Sequence, residues 1–345
     1  KKNIININEI KENIINEIKI DEFKNAINLI YYANDVGNCG IFGEKFVENN
    51  KNNLDLYINY QKNYSLISKC LLKEGDNIIT IIPKKNMNNL SYMFQNCNSL
   101  KDITELKYLD VKDSKDFSYM FSGCSSLSDI NSLKNWNVSN GENFEQMFSG
   151  CSSLSNIKAL KNWNVSNSNN LEGMFFECDS LFDLNNIQNW NVSNCKYFTN
   201  MFRGCSLLTD ITALRNWNVS KGINFKSMFS GCHSLSNIYP LQNWKFSCST
   251  DLEGMFYGCS SLTDLNPLQN WDVSNCEYFT NMFYGCMSLS DLKPLRNWNV
   301  SKYKKFKNMF AACPLISDIS PLKTWTIPID FYLKDMFPNS HLINK

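Results

Sequence analysis

From about residue 90 onward, apolar positions recur in two alternating registers. Phe144, Met147, Phe148 and Cys151 stand at i, i+3, i+4 and i+7, the stripe of a short amphipathic helix. Ser139 or Asn140 would start that helix, because both cap or turn well, and Gly150 would mark its end. Leu154, Ile157 and Leu160 then follow at steps of three, and Trp163-Asn164-Val165-Ser166 alternates like a strand. A helix and a strand this short make one turn of a coil. Such a turn cannot bury its apolar side alone, so it needs neighbours of the same kind.

The neighbours are present in the sequence. Met-Phe occurs at 93, 120, 147, 174, 201, 228, 255, 282, 309 and 336, every step 27 residues. All eight Trp (Trp136, Trp163, Trp190, Trp217, Trp244, Trp271, Trp298, Trp325) keep that step. So do nine of the fourteen Cys: Cys97, Cys124, Cys151, Cys178, Cys205, Cys232, Cys259, Cys286 and Cys313. A period without slack implies that every residue has a stacked equivalent in the next unit. The expected fold class is therefore an α/β repeat, a leucine-rich-repeat solenoid of about ten 27-residue coils with a short helix and a short strand in each. Residues 147–227 also resemble 228–308, so the array reads as grown by duplication of a three-unit block.

The string Phe-x-x-Met-Phe-x-x-Cys-x-Ser-Leu, followed by Leu-x-x-Trp-Asn-Val-Ser-Asn, resembles the BspA-like leucine-rich repeats, bacterial surface-protein repeats of the DUF285 type. Residues 90–340 carry it. Trp here replaces the Phe of many members, and Asp318-Ile319-Ser320-Pro321-Leu322 looks like an internalin repeat segment. The resemblance implies a solenoid used for binding, with bacterial members often acting as cell-surface adhesins. It brings no catalytic residues.

Residues 1–89 lie outside the period. Ile7, Ile10, Ile14 and Ile18 step along one helix face, so 1–20 reads as a helical or linker segment. Residues 21–89 read as a small β-rich N-terminal cap. Strands are expected at 26–31, 54–60, 66–72 and 78–82, turns at Gln61-Lys62-Asn63 and Glu74-Gly75-Asp76-Asn77, and a helical element at 42–50. Residues 90–345 are the solenoid, whose first coil the cap would shield from water. The chain opens Lys1-Lys2-Asn3 without Met and so reads as a piece of a longer one.

Composition narrows the function. Thirty-four Lys and Arg against 33 Asp and Glu leave +1, so no global field draws the chain to nucleic acid. No apolar run approaches the roughly 20 residues that cross a bilayer. His233 and His341 are the only histidines, which leaves little for acid–base or zinc chemistry, and no cofactor or metal is expected. No Gly-rich phosphate loop, paired acid and base, or nucleophile motif appears. The chain is not expected to be an enzyme.

Each ladder has a structural reading. A zinc site wants paired Cys or His at short spacing, whereas each unit offers one Cys; on the inner stripe a thiol behaves as a small hydrophobe. Cys248 and Cys276, outside that ladder, could form a single bridge. The column Asp102, Asp129, Asn156, Asp183, Asp210, Asn237, Asp264, Asp291 and Asp318 lacks the Gly-rich turns and clustered carboxylates of a calcium roll; its oxygens should accept backbone N–H groups or face water. The Asn before each Trp (Asn135, Asn162 and their equivalents) reads as a turn-holding amide, and the Trp as a core wall whose N–H seeks a carbonyl, with a ligand-stacking platform as the alternative. Sequons at Asn63, Asn89, Asn137, Asn164, Asn191, Asn218 and Asn299 would crowd glycans onto consecutive coils. With unpaired thiols this tilts the setting towards a reducing, intracellular one, the cell surface being the alternative.

Positions that vary between units cannot serve the common core. The third position of the unit is Ser122, Ser149 and Ser230 in some coils but Phe176, Tyr257 and Tyr284 in others, with Tyr197, Tyr278 and Tyr303 nearby. Aromatic side chains on a Ser- and Asn-rich surface are the composition of a protein-binding hot spot, although rings that only cover inter-coil gaps would look the same. Arg296, Lys302, Lys304, Lys305 and Lys307 form a basic cluster, a solvated face or a site for a phosphate or acidic partner. The expected function is a non-enzymatic protein–protein interaction or scaffold module; a cell-surface adhesin is the alternative.

Overall fold

Alternation of period two makes the N-terminal strands. In β1 (Ile27–Ala33), Ile27, Leu29, Tyr31 and Ala33 point inward while the residues between them are partly or fully exposed. The computed structural model describes residues 25–84, 87–248, 251–300, 304–325 and 329–338; the helix expected on Ile7–Ile18 lies outside them. A five-stranded sheet runs β4 (Gln61–Asn63), β3 (Leu54–Ile58), β6 (Gly75–Pro83), β1, β7 (Leu100–Asp102). β6 is central, buried by β3 on one side and by β1 on the other, with Ile27 opposite Ile81 and Leu56 also opposite Ile81. A second, two-stranded sheet joins β2 (Gly37–Gly40) to β5 (Lys69–Leu72), and helix α1 spans Glu44–Asn50.

Two local expectations fail here. Gln61-Lys62-Asn63 is a strand rather than a turn, because the chain reverses one step earlier, at Asn59 and Tyr60, both with positive φ. The turn placed at 74–77 is shorter: β6 already begins at Gly75.

The sheet also continues beyond residue 89. β7 belongs to the first repeated unit, and β1 pairs with it through Tyr31 opposite Leu100. The Glu105 carboxylate, buried in that unit, accepts the Asn28 N–H at 2.7 Å. Gly43 N–H donates to Met93 O at 3.1 Å, and a Cβ on Gly43 would overlap the Tyr92 carbonyl oxygen, so only glycine lets the start of α1 approach this closely.

In the repeated units, the stripe read as a helix is a run of turns. Alternate backbone N–H groups go to different places. Those of Phe117, Tyr119, Phe121 and Gly123 donate to carbonyls of the next unit (Asn143, Glu145, Met147, Ser149) at 2.6–2.9 Å; those of Met120, Ser122 and Cys124 donate three residues back within their own unit. Two left-handed residues per unit make this possible. One precedes Met (Tyr119, Gln146, Gly173, Asn200 and so on) and one precedes Cys (Gly123, Gly150, Glu177, Gly204 and so on). Positive φ twice in five residues breaks an α-helix, yet it preserves the same i, i+3, i+4, i+7 inward set. About half the N–H groups of this run therefore have no partner inside their own unit, and unit must follow unit. Parallel bridges record the succession, from Asn89–Asp116 to Tyr278–Lys305.

The other side of each unit is a 3₁₀ turn, such as Asn131–Asn135 or Lys158–Asn162. Later units place Pro240, Pro267, Pro294 or Pro321 in its first turn, where the missing N–H costs nothing. The tenth Met-Phe differs again: Met336 ends an α-helix, α2 (Ile329–Met336), which presents Asp335 O and Met336 O to the N–H groups of Asn308 and Phe310. Inside, the columns are buried; the Phe after each Met stacks on its own copy, as Phe121 does on Phe148 at 5.6 Å, and three Trp pairs do so too, as Trp136 on Trp163 at 6.4 Å, while Phe246 packs edge-on between Trp244 and Trp271.

Candidate functional site

The ladders that could have carried chemistry are consumed by the backbone. Each Trp indole N–H donates to a carbonyl in the preceding unit, from Trp136 to Leu106 O at 2.9 Å to Trp325 to Leu295 O at 2.8 Å. From Cys124 to Cys313 each ladder thiol lies 3.0–3.3 Å from the carbonyl of the Phe thirty residues earlier, as Cys151 does from Phe121 O. All fourteen cysteines are free thiols. Burial pushes the Cys151 thiol up to about 12, so no thiolate is available there as nucleophile or ligand. Cys276 is fully buried and Cys248 exposed, and no bridge joins them.

The Asp and Asn column is occupied in the same way. Nine of nine positions, Asp102 to Asp318, accept the N–H two residues on at 2.6–2.9 Å, which opens the 3₁₀ turn. The Asn before Trp does not hold the turn. Asn135 and Asn162 are exposed, and the accepting amide is the one after Trp: Asn137 to Ser139 N and Asn164 to Ser166 N, both 3.1 Å. Among the described residues no group of His, Cys, Asp or Glu could hold a metal ion, and no helix is long and apolar enough to cross a membrane.

What remains is a variable face along the parallel bridges. It combines the bridging column, the residue two before Met, the residue before Met and the third residue of the unit. These columns touch: a Cβ on Gly173 or Gly254 would lie 3.7 Å from the Cβ of Phe176 or Tyr257, and Glu145 Oε2 accepts from Asn170 of the next bridging position at 3.3 Å. Tyr257 and Tyr284 are stacked in adjacent units, centroids 4.8 Å apart and planes within 4°, Tyr257 being 41% exposed. Arg203 lies 5.5 Å over the Phe176 ring. Tyr278 and Tyr197 occupy the bridging column where most units have Asn or Asp, and Lys305 Nζ sits 4.7 Å over Tyr278.

The basic cluster is not brought together. Lys304 is buried, its ammonium donating to Ser274 O at 3.0 Å and to Cys276 O. Its stem crosses the preceding unit's turn, so its charge is spent on carbonyls and it is removed from the candidate binding residues. Arg296 is exposed on the 3₁₀ turn Lys293–Asn297, away from the bridging column that carries Lys305. Lys302 and Tyr303 lie outside the described residues.

One pair on this face escaped the sequence reading. Tyr92 and Tyr119 stack at 4.9 Å within 6°, with Lys45 Nζ 4.4 Å over Tyr92 and the Tyr119 hydroxyl donating to Glu145 Oε1 at 2.6 Å. Burial, and then Glu145, raise the Glu172 carboxyl beside them above its usual range. The signal was available: the residue before Met varies as freely as the third residue, and reading both columns gives both pairs.

A family described as "Mycoplasma protein of unknown function, DUF285" matches residues 72–181, 174–292 and 234–345. No curated protein and no solved structure matches.

Proposed function

The chain belongs to the DUF285 family, and on that premise we propose that it is a non-enzymatic module that binds a protein partner along the variable face of a BspA-like leucine-rich-repeat solenoid. The observation that carries this reading is the stacked Tyr257–Tyr284 pair. Amphipathic rings held rigid by stacking lose little entropy when a partner covers them, which is the character of a hot spot. Ring spacing supports a curved array. The outward tyrosine pairs stand 4.8 and 4.9 Å apart, the inner Phe near the bridges 5.0–5.5 Å, and the Trp 6.4–6.5 Å. On this reading the units fan outward towards the Trp side and the tyrosine face is concave, as a surface that embraces a partner requires.

The test is Tyr257→Ser with Tyr284→Ser, the residue other units carry at that place. The double variant should keep the wild-type circular dichroism spectrum and melting temperature, and a purified partner first recovered with the wild type should bind it at least thirty-fold more weakly, about 2 kcal/mol. Unchanged affinity would move the interface elsewhere. Turnover of any substrate by the wild type that the variant retains would count against a binding-only module.

A further inference from the structure

We propose that Cys39 and Cys70 are a disulfide-forming dithiol site, oxidised by a small-molecule disulfide of the glutathione class, that staples the N-terminal cap to itself beside the first repeated unit. The two residues are direct partners across the antiparallel β2–β5 ribbon. Ile41 N–H donates to Ser68 O at 2.8 Å, and since hydrogen-bonded pairs alternate along such a ribbon, Cys39 and Cys70 form a hydrogen-bonded pair with Cα atoms about 5.5 Å apart. Disulfides accept roughly 4.4–6.8 Å. Directly opposed residues also put their Cβ atoms on the same side of the ribbon. This is what the Cys ladder lacks, since its thiols are already directed at carbonyls.

Three further features fit the assignment. Both cysteines are half-buried against the core rather than sealed in it, so a tripeptide-sized oxidant can reach either of them. Gly37 and Gly40 bracket Cys39, and a two-stranded ribbon with glycine at both ends of one strand yields readily as the sulfurs close in. The Cys70 thiol is pushed up to about 11 by burial and then by Cys39, which places the two groups within electrostatic reach of each other.

The chemistry balances with one named oxidant. A thiolate from either cysteine attacks oxidised glutathione and forms a mixed disulfide, releasing one glutathione thiolate. The second cysteine, losing its proton to solvent, attacks the protein-side sulfur and releases the other. Two cysteine thiols become one disulfide, and one glutathione disulfide becomes two glutathione thiols. A hydrogen-bonded cross-strand bridge must draw the Cβ atoms in from their relaxed separation, and a strained, accessible bond of this kind is readily reduced again. β2 leads directly into Ile41, Phe42 and Gly43, which seat the cap on Met93 and Phe94, so the bond would tighten that junction.

The experiment treats the native chain with oxidised glutathione, alkylates it, unfolds it, alkylates it again with a second reagent of different mass and maps the peptides by mass spectrometry. Expected is the loss of two thiols to a Cys39–Cys70 link, a glutathione adduct on exposed Cys248, ladder cysteines alkylated only after unfolding, and full reversal by dithiothreitol. The Cys39→Ser variant should instead stop at a stable glutathione adduct on Cys70, and Cys70→Ser at one on Cys39. Recovery of both cysteines as free thiols, separate adducts on each in the wild type, or a link from either to Cys97 or Cys248 would overturn the assignment.

Discussion

The N-terminal sheet and the repeated units satisfy the same buried backbone in opposite ways. In the sheet a residue meets a stranger: Ile27 faces Ile81 and Tyr57 faces Thr80, across connections of unequal length, and each contact is made once. In the array a residue meets its own copy, 27 positions on. Self-facing is a severe filter, because each inner side chain must tolerate itself as neighbour. Phe, Trp and Cys pass it by stacking or by donating to a carbonyl. A carboxylate passes only if something offsets its charge, and the backbone N–H two residues on does so in each turn. Asp210 and Asp318 are held below the usual carboxylate range chiefly by the hydroxyl, and then by the N–H, of Thr212 and Ser320. The column accordingly alternates freely between Asp and Asn.

The largest expected effect separates the two regions by pH. Cys151 and Cys195 are pushed up to about 12 by burial, and Cys124, Cys178, Cys232 and Cys286 are also raised well above the usual thiol range, by burial and then by their ladder neighbours. Unfolded thiols ionise near about 8.5. The native state thus binds more protons between those limits, so stability is intact below about 8.5 and falls as pH climbs towards 12. Each such thiol removes about 1.4 kcal/mol per pH unit, and several act together. In the sheet, Cys70, pushed up to about 11, joins them, but Tyr31, raised by burial, contributes only above about 10. Hydrogen exchange read by peptide at pH 8 and pH 9.5 should show the array losing protection while the sheet keeps most of its own; equal loss in both regions would refute the thiol account.

Trp190→Ala comes next, costing about 3–5 kcal/mol because it empties a stacked column and strips Leu160 O of its donor. Tyr31→Phe, the nearest equivalent in the sheet, deletes one hydroxyl bonded to Ile41 O at 2.6 Å and should cost about 1–2 kcal/mol. Urea titrations of the two variants measure both. Gly43→Ala attacks the seam instead. Its Cβ meets the Tyr92 carbonyl, and overpacking of this kind costs about 1–3 kcal/mol. Exchange protection should drop in α1 and the first unit while units beyond Met174 remain as in wild type. Loss across the whole array would mean that the cap nucleates every unit.

Which features were legible in the sequence follows from the same contrast. The period and the inner columns were open to reading because self-facing forces identity, and nine Cys and eight Trp in strict step leave no other explanation. Strands β1 and β3 were legible from alternation and β6 from its apolar run, but β2 and β4 are short and polar, β2 with glycine at both ends, and only their partners make them strands. The unit's turns were misread because an inward set at i, i+3, i+4 and i+7 is common to a helix and to this coil. The distinguishing mark was Gly and Asn gathering at two positions four apart. Lys304 was misplaced because its burial depends on the preceding unit's carbonyls, and nothing in its own neighbourhood announces them. The tyrosine pairs were half legible, one of two, for want of a second variable column.

The smallest expected effect tests whether self-facing or backbone strain governs the left-handed column before Met. Gln146 holds φ at 49°, where an L-residue with a Cβ is strained, whereas Gly173 and Gly254 occupy the same column freely. Gln146→Gly relieves about 1–2 kcal/mol of that strain and gives back about 0.5–1 kcal/mol through the more flexible unfolded chain. It also removes a side chain whose Cγ leaves no room for a Cβ on Gly173. The net result should be a gain of about 0.5 kcal/mol, seen as a small rise in the urea midpoint. Asn200→Gly, in the same column at φ 55°, should gain nothing, because asparagine tolerates the left-handed region with little strain while the entropy loss is the same. If both variants destabilise equally, these side chains contribute packing along the face, and the column belongs to the ladder rather than to the variable surface.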